Sequence, residues 1–150
     1  MEIRELVNQA WQNLIPLAEP RGVHLILDSS GPHAVRGNGS QLYRALFNLL
    51  DNALRFSPND SAIEVQLNHE GRWQRVAVRD HGQGFSADDL QHMFQRFYRG
   101  DPSRARVRQV GSGLGLAIVQ QIANSHGGQI RAGNHIQGGA QMQLSLPANG

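Results

Sequence analysis

The sequence predicts an α+β fold: an α/β sandwich in which a mixed, mostly antiparallel sheet of about five strands carries about three helices on one face. Three observations lead there. Residues 40–56 hold the longest helical pattern in the chain, residues 62–80 alternate apolar and polar side chains on either side of a short turn, and residues 129–147 close the chain with two more strand patterns. Strands joined by short turns must run antiparallel, and amphipathic helices between them need a sheet face to cover.

Taken in order, residues 2–18 place Ile3, Leu6, Val7, Ala10, Leu14 and Leu17 at spacings of three and four, an amphipathic helix that Pro16 is expected to kink or end, with Pro20 just beyond. VHLIL (23–27) and HAVRG (33–37) read as short strands joined by the turn formers between Asp28 and Pro32. The long helix then starts with Ser40 as its expected N-cap and closes at Phe56, before Ser57 and Pro58. AIEVQLNH (62–69) and WQRVAVRD (73–80) form a hairpin. A short helix is expected over 87–97, an arginine-rich segment without apolar periodicity over 99–110, and a helix over 113–126 stopped by Gly127 and Gly128. QIRAGN and AQMQLSLP supply the last strands, and Gly138 and Gly139 read as turn residues between them.

Length and composition bound the possibilities. With 150 residues, 39% hydrophobic and 17% charged, the chain suits one globular domain with an ordinary core. Cysteine is absent, which excludes disulfides, thiolate zinc sites and a cysteine nucleophile. No apolar run approaches the roughly 18 residues that span a bilayer, and MEIRELVNQAW is too polar for a signal peptide, so the expectation is a soluble chain. The formal net charge is only +2, yet Arg99, Arg104, Arg106 and Arg108 fall close together. Such a local basic loop suits a polyphosphate better than a long nucleic acid, and no nucleic-acid partner is expected.

Four segments carry the chemistry: NLLDNALRFSP (48–58), DHGQG (80–84), FQRFYRG (94–100) and GSGLGL (111–116). At about 100° per residue, Asn48, Asn52 and Arg55 fall within about 60° of one another, while Leu42, Leu46, Leu49, Leu50 and Ala53 lie opposite. Two readings stand for that polar face: a solvated surface, or a site in which the Asn52 amide oxygen binds Mg²⁺, a hard cation usually shared with substrate phosphates. In RVAVRD, Val76, Val78 and Asp80 share one side of the strand, so the Asp80 carboxylate turns inward and requires a partner. Phe94 and Phe97 read as core packing. GSGLGL opens a helix, where backbone N–H groups and the helix dipole form an anion site that glycines leave accessible. A dinucleotide-binding GxGxxG reading fails, since no parallel βαβ unit surrounds the segment.

In this order the four segments resemble the N box, first glycine box, F box and second glycine box of the catalytic and ATP-binding domain of two-component sensor histidine kinases. That domain has the Bergerat ATP-binding fold, shared with topoisomerases, mismatch-repair proteins and chaperones, and the likeness covers roughly residues 20–147. The resemblance implies ATP and Mg²⁺ as cofactors, with Asn52, and Asn48 beside it, as metal ligands and Asn48, Asn52 and Arg55 as the catalytic set. Phe56 stands where the family often has Tyr. Asp80 corresponds to the Asp that accepts a hydrogen bond from the adenine amine, with Gly82 and Gly84 letting the backbone approach the base. Phe94, Tyr98 and Arg99 anchor and begin a lid whose arginines either close over the triphosphate or stay solvated; none is named as catalytic. Gly111, Gly113, Leu114, Gly115 and Leu116 fall at the phosphate end.

Asn48 separates the branches of the resembling family. ATPases and serine kinases of that superfamily carry Glu there, a carboxylate able to act as general base. An amide cannot take a proton, whereas a neutral imidazole acceptor already offers a lone pair, so Asn48 favours transfer to His over hydrolysis. None of the seven His residues has the phosphoacceptor context of a His followed by an acidic residue on a long dimerising helix. The expected function is therefore ATP binding and transfer of the γ-phosphate to a His on a separate dimerisation domain, with a response-regulator receiver domain downstream. Residues 1–20 read as a linker helix from that absent domain and 21–150 as the catalytic domain. The expected fragment is monomeric and cytoplasmic, cut from a dimeric, membrane-anchored parent. The alternatives are a superfamily ATPase and a nucleotide-binding module without transfer.

Overall fold

The computed structural model describes residues 1–29, 31–96 and 115–148. In chain order the elements are α1 (Ile3–Ala18), a 3₁₀ turn (Glu19–Arg21), β1 (His24–Ser29), α2 (Gly39–Phe56), β2 (Ala62–Glu70), β3 (Trp73–Arg79), α3 (Ala87–His92), α4 (Gly115–Ser125), β4 (Gln129–Asn134) and β5 (Ala140–Pro147). The strands form one five-stranded sheet in the order β1-β2-β3-β5-β4. β1 pairs with β2 in parallel, and β2–β3, β3–β5 and β4–β5 are antiparallel, as in the registers Val65↔Val78, Val76↔Leu144 and Ile130↔Leu144. The expected α+β sandwich with a mixed sheet is the fold observed.

The period of two along the strands puts Ile63, Val65, Leu67, Val76, Val78, Met142, Leu144 and Leu146 on one face, all buried. They share a single core with Leu6, Val7, Ala10 and Leu14 of α1, Leu42, Leu46, Leu49 and Leu50 of α2, and Leu116, Val119 and Ile122 of α4. The three long helices therefore cover the same face. α1 buries Ile3, Leu6, Val7, Ala10, Leu14 and Ala18 in that core, whereas Leu17, which the spacing put with them, is exposed.

Three local expectations are corrected. HAVRG is not a strand of the sheet: Ala34 and Val35 make only isolated bridges, to Glu2 and Ala148. β1 instead takes β2 as a parallel neighbour, and the crossover that a parallel pair requires is supplied by α2. Pro16 does not end α1, which runs on to Ala18. Residues 12 and 16 are both exposed, so water can reach the carbonyl that loses its intrahelical donor there. The N-cap of α2 is Asn38 rather than Ser40, its side-chain oxygen accepting from the Gln41 N–H at 3.0 Å. Loss of that cap in Asn38→Ala should cost about 1 kcal/mol, read as a lowered urea midpoint with unchanged slope.

The other end of α2 is held by a residue the periodicity gave no reason to single out. Arg21 donates from Nη1 to the Leu54 carbonyl at 2.7 Å, from Nη2 to the Ser57 carbonyl, and from Nε to Asn59 Oδ1 at 3.0 Å. A guanidinium on the last carbonyls complements the negative end of the helix dipole. Among the described residues, no helix is long and apolar enough to cross a membrane.

Candidate functional site

The polar side of α2 is the base of the site. Its opposite side, Leu42, Ala45, Leu46, Leu49 and Leu50, is locked in the core, which fixes the rotation of the helix and so the direction of Asn48, Asn52 and Arg55. Asn52 is only 6% exposed although it lies on the polar side. That burial argues against a plain solvated face. Arg55 donates from Nε to Asp51 Oδ2 at 3.1 Å, while its Nη1 is buried with no partner among the described residues. A buried cationic nitrogen in that position suits an anionic acceptor.

α4 is bound to α2 at two points. Asn48 donates from Nδ2 to the carbonyl of Gly115, the first residue of α4, at 3.3 Å. At the other end of the pair, His126 accepts the Asn38 N–H at Nε2, 3.1 Å, and its Nδ1 lies 2.8 Å from the Ile122 carbonyl. The second contact fixes the tautomer, since a ring nitrogen facing a carbonyl must donate. The start of α4 is thereby fixed beside the middle of α2. Leu116 is buried in the core.

Asp80 follows β3 and is 2% exposed. Its inward direction is as the alternation requires, and backbone donors are among its partners in the protein. Oδ1 accepts the Gly82 N–H at 2.8 Å and the Ala140 N–H at 3.2 Å, while the Asp80 N–H reaches the Ala140 carbonyl at 3.0 Å. Gly82 lies so close to the Phe56 carbonyl that any Cβ would collide with it. Phe56 itself is buried, with its ring edge-on to Phe85 at 6.4 Å. Beside the loop, His81 Nε2 lies 2.5 Å from Glu64 Oε2, which Arg79 also approaches at 3.7 Å.

α2 thus touches both glycine segments: the second through Asn48, and the first through Phe56. Eight residues of helix separate these contacts, about 12 Å of rise. Asn52 stands midway, one turn from each. Of the remaining candidates, Phe94 is partly buried against the core, in keeping with a packing role, and Gly84 has φ +82°. Phe97, Tyr98, Arg99, Gly111, Gly113 and Leu114, with the arginine-rich segment 99–110, lie outside the described residues. Sequence reasoning overlooked Asn134, whose side chain bonds Phe85, and the Ala140 N–H on Asp80. The second follows from the β3–β5 register, in which one step beyond Arg79↔Gln141 sets Asp80 opposite Ala140, a pairing of distant strands that neither segment shows alone. Among the described residues no group of three His, Cys, Asp or Glu side chains could hold a metal ion; Asn48 and Asn52 offer amide oxygens, which are hard donors, on the polar side of α2.

Residues 37–150 match the family model described as histidine kinase-, DNA gyrase B-, and HSP90-like ATPase. The sensor protein SphS of Synechococcus elongatus is 39% identical over 98% of this chain and 37% of its own length. The sensor-like histidine kinase SenX3 of Mycobacterium tuberculosis is 34% identical over 99% of this chain and 36% of its own. The chain thus spans little more than a third of these curated relatives. Among solved structures, the mycobacterial sensor histidine kinase MprB superposes with a TM-score of 0.85 at 27% identity, covering 99% of this chain and 96% of that one. Full-length ShkA, solved in complex with AMPPNP, superposes with a TM-score of 0.82 at 25% identity, over 100% of this chain and 31% of that one.

Proposed function

The chain belongs to the family of histidine kinase-, DNA gyrase B-, and HSP90-like ATPases, and from that membership we propose that it is the catalytic ATP-binding domain of a two-component sensor histidine kinase. The observation that carries the proposal is the double contact of α2. It meets the Asp80 loop at Phe56 and the start of α4 at Asn48, and this supports a site with its base end and its phosphate end along one helix.

In this reading the Asp80 carboxylate, held in place by the Gly82 and Ala140 N–H groups, accepts the adenine amine and so selects adenine over guanine. Gly82 and Gly84 bring the backbone close to the base. At the other end, Gly111, Gly113, Leu114, Gly115 and Leu116 are proposed as the phosphate-binding residues, since the positive end of the α4 dipole favours an anion there. Asn52, with Asn48 beside it, would hold Mg²⁺ through amide oxygens, the remaining ligands coming from the nucleotide phosphates and water; the donor set fits a hard cation of this kind. Held by those residues, Mg²⁺ would supply positive charge to offset that of the phosphates. Arg55 supplies a guanidinium at the same face, and its buried Nη1 has the chemistry to take a phosphate oxygen. Phe94, Tyr98 and Arg99 are proposed as the foot of a lid over the nucleotide.

An amide at Asn48, where hydrolytic relatives have a carboxylate, removes the general base for water and leaves a histidine nitrogen as the suitable acceptor. That acceptor is proposed to lie on a dimerisation domain of the same kinase, reached through α1, with a receiver domain next in the relay. The parent is proposed to be dimeric and membrane-anchored with this part in the cytoplasm. Incubation of the chain with γ-labelled ATP, Mg²⁺ and the dimerisation domain should put acid-labile label on that domain and none on this chain alone. Steady phosphate release without transfer would instead identify a hydrolase, and stable label on this chain alone would show that it carries its own acceptor.

A further inference from the structure

We propose that Asn134, the last residue of β4, is a positioning residue for the adenine end of the site, clamping the loop from Asp80 to Phe85. The inference rests on the nucleotide-binding reading above. Asn134 takes both polar groups of one backbone residue: Oδ1 accepts the Phe85 N–H at 2.7 Å and Nδ2 donates to the Phe85 carbonyl at 3.0 Å. A single planar amide engaged at both ends fixes the orientation of that residue as well as its distance.

The register of the β4–β5 hairpin explains why this matters for the base. Asn134 and Ala140 are partners across the hairpin. Ala140 holds Asp80, through its N–H on Oδ1 and its carbonyl on the Asp80 N–H, and Asn134 holds Phe85. One cross-strand pair thus grips the loop at its first and last residues. Between them, Gly84 lies against the same amide: a Cβ there would come 2.7 Å from Asn134 Oδ1, and φ is +82°. The loop can rest on Asn134 only because position 84 has no side chain. Phe85 in turn packs edge-on against Phe56 at the end of α2, whose carbonyl lies against Gly82. Releasing Phe85 from Asn134 therefore frees the loop on the side where it must hold Asp80 and the glycine backbone against a base. Asn134 acts on the ligand through the loop and leaves the phosphate end untouched.

The test compares calorimetric affinities of the wild-type chain, Asn134→Ala and Asn134→Asp for ATP, GTP and inorganic tripolyphosphate, with thermal midpoints measured alongside. Asn134→Ala, which loses two hydrogen bonds, should bind ATP about tenfold more weakly and discriminate less between ATP and GTP. Tripolyphosphate affinity should stay at the wild-type value. Asn134→Asp keeps an acceptor for the Phe85 N–H but sets a carboxylate oxygen against its carbonyl, and should also bind ATP more weakly than the wild-type chain. Unchanged ATP affinity in Asn134→Ala would overturn the inference while leaving the nucleotide site standing. So would an equal loss for all three ligands accompanied by a matching drop in thermal midpoint, the mark of a merely structural residue. Failure of the wild-type chain to bind ATP would overturn the nucleotide reading itself, and the inference with it.

Discussion

Asn52→Ala should abolish the dependence of ATP binding on Mg²⁺. The side chain is buried at the midpoint of the polar side of α2, one helical turn from both the Asn48 contact with α4 and the Phe56 contact with the Asp80 loop. With Asn52 as the proposed metal ligand, its loss should cost on the order of a hundredfold in affinity for the magnesium complex, since even outer-shell partners are worth about 10 to 100-fold. Stability should change far less. Alanine is the better helix former by about 0.5 kcal/mol, which offsets part of the hydrogen bonding lost with the amide. The comparison that isolates the effect is ATP affinity with Mg²⁺ against ATP affinity in chelator. The two values should differ in the wild-type chain, coincide in Asn52→Ala, and differ again in Asn52→Asp, which retains an oxygen donor.

Asp80→Asn should weaken ATP binding by about 1–3 kcal/mol, the value of a charge-assisted hydrogen bond. The Asn side chain still has one oxygen to accept the Gly82 and Ala140 N–H groups, so the loop should remain in place. What changes is the other end of the group, where an amide NH₂ replaces an acceptor. Facing the adenine amine it would set donor against donor, whereas the guanine carbonyl could accept from it. The ratio of ATP to GTP affinity should therefore fall further than ATP affinity alone, a result that general destabilisation would not produce. Competition between the two nucleotides at one site measures it directly.

Both predictions rest on features legible in the sequence to different degrees. The polar face of α2 followed from helical periodicity, because Leu42, Leu46, Leu49 and Leu50 demand a core and so turn Asn48, Asn52 and Arg55 the other way. The inward direction of Asp80 followed from the alternation with Val76 and Val78. What local pattern could not supply was partnership between distant segments. VHLIL followed by turn formers and HAVRG has the look of a hairpin, but β1 gains a parallel neighbour only once α2 has carried the chain back, and nothing near residue 30 signals that crossover. The cap of α2 was misplaced for a similar reason. Asn38 and Ser40 are both good caps in isolation, and His126, 88 residues away, accepts the Asn38 N–H. Arg21 on the end of α2 and Asn134 on Phe85 are likewise long-range bonds of polar residues whose neighbours in sequence give no hint of them.

The Asn52 and Asp80 roles separate cleanly in one experiment: calorimetric titration of ATP, in Mg²⁺ and in chelator, into the wild-type chain, Asn52→Ala and Asp80→Asn. A site with its base end at Asp80 and its metal and phosphate end at Asn52 predicts two independent defects. Asn52→Ala should lose the magnesium dependence, and Asp80→Asn should keep that dependence while binding more weakly in both conditions. Titrations in which both variants bind as the wild-type chain does, or in which the wild-type chain itself gives no ATP binding, would contradict the assignment of these segments to a magnesium–ATP site.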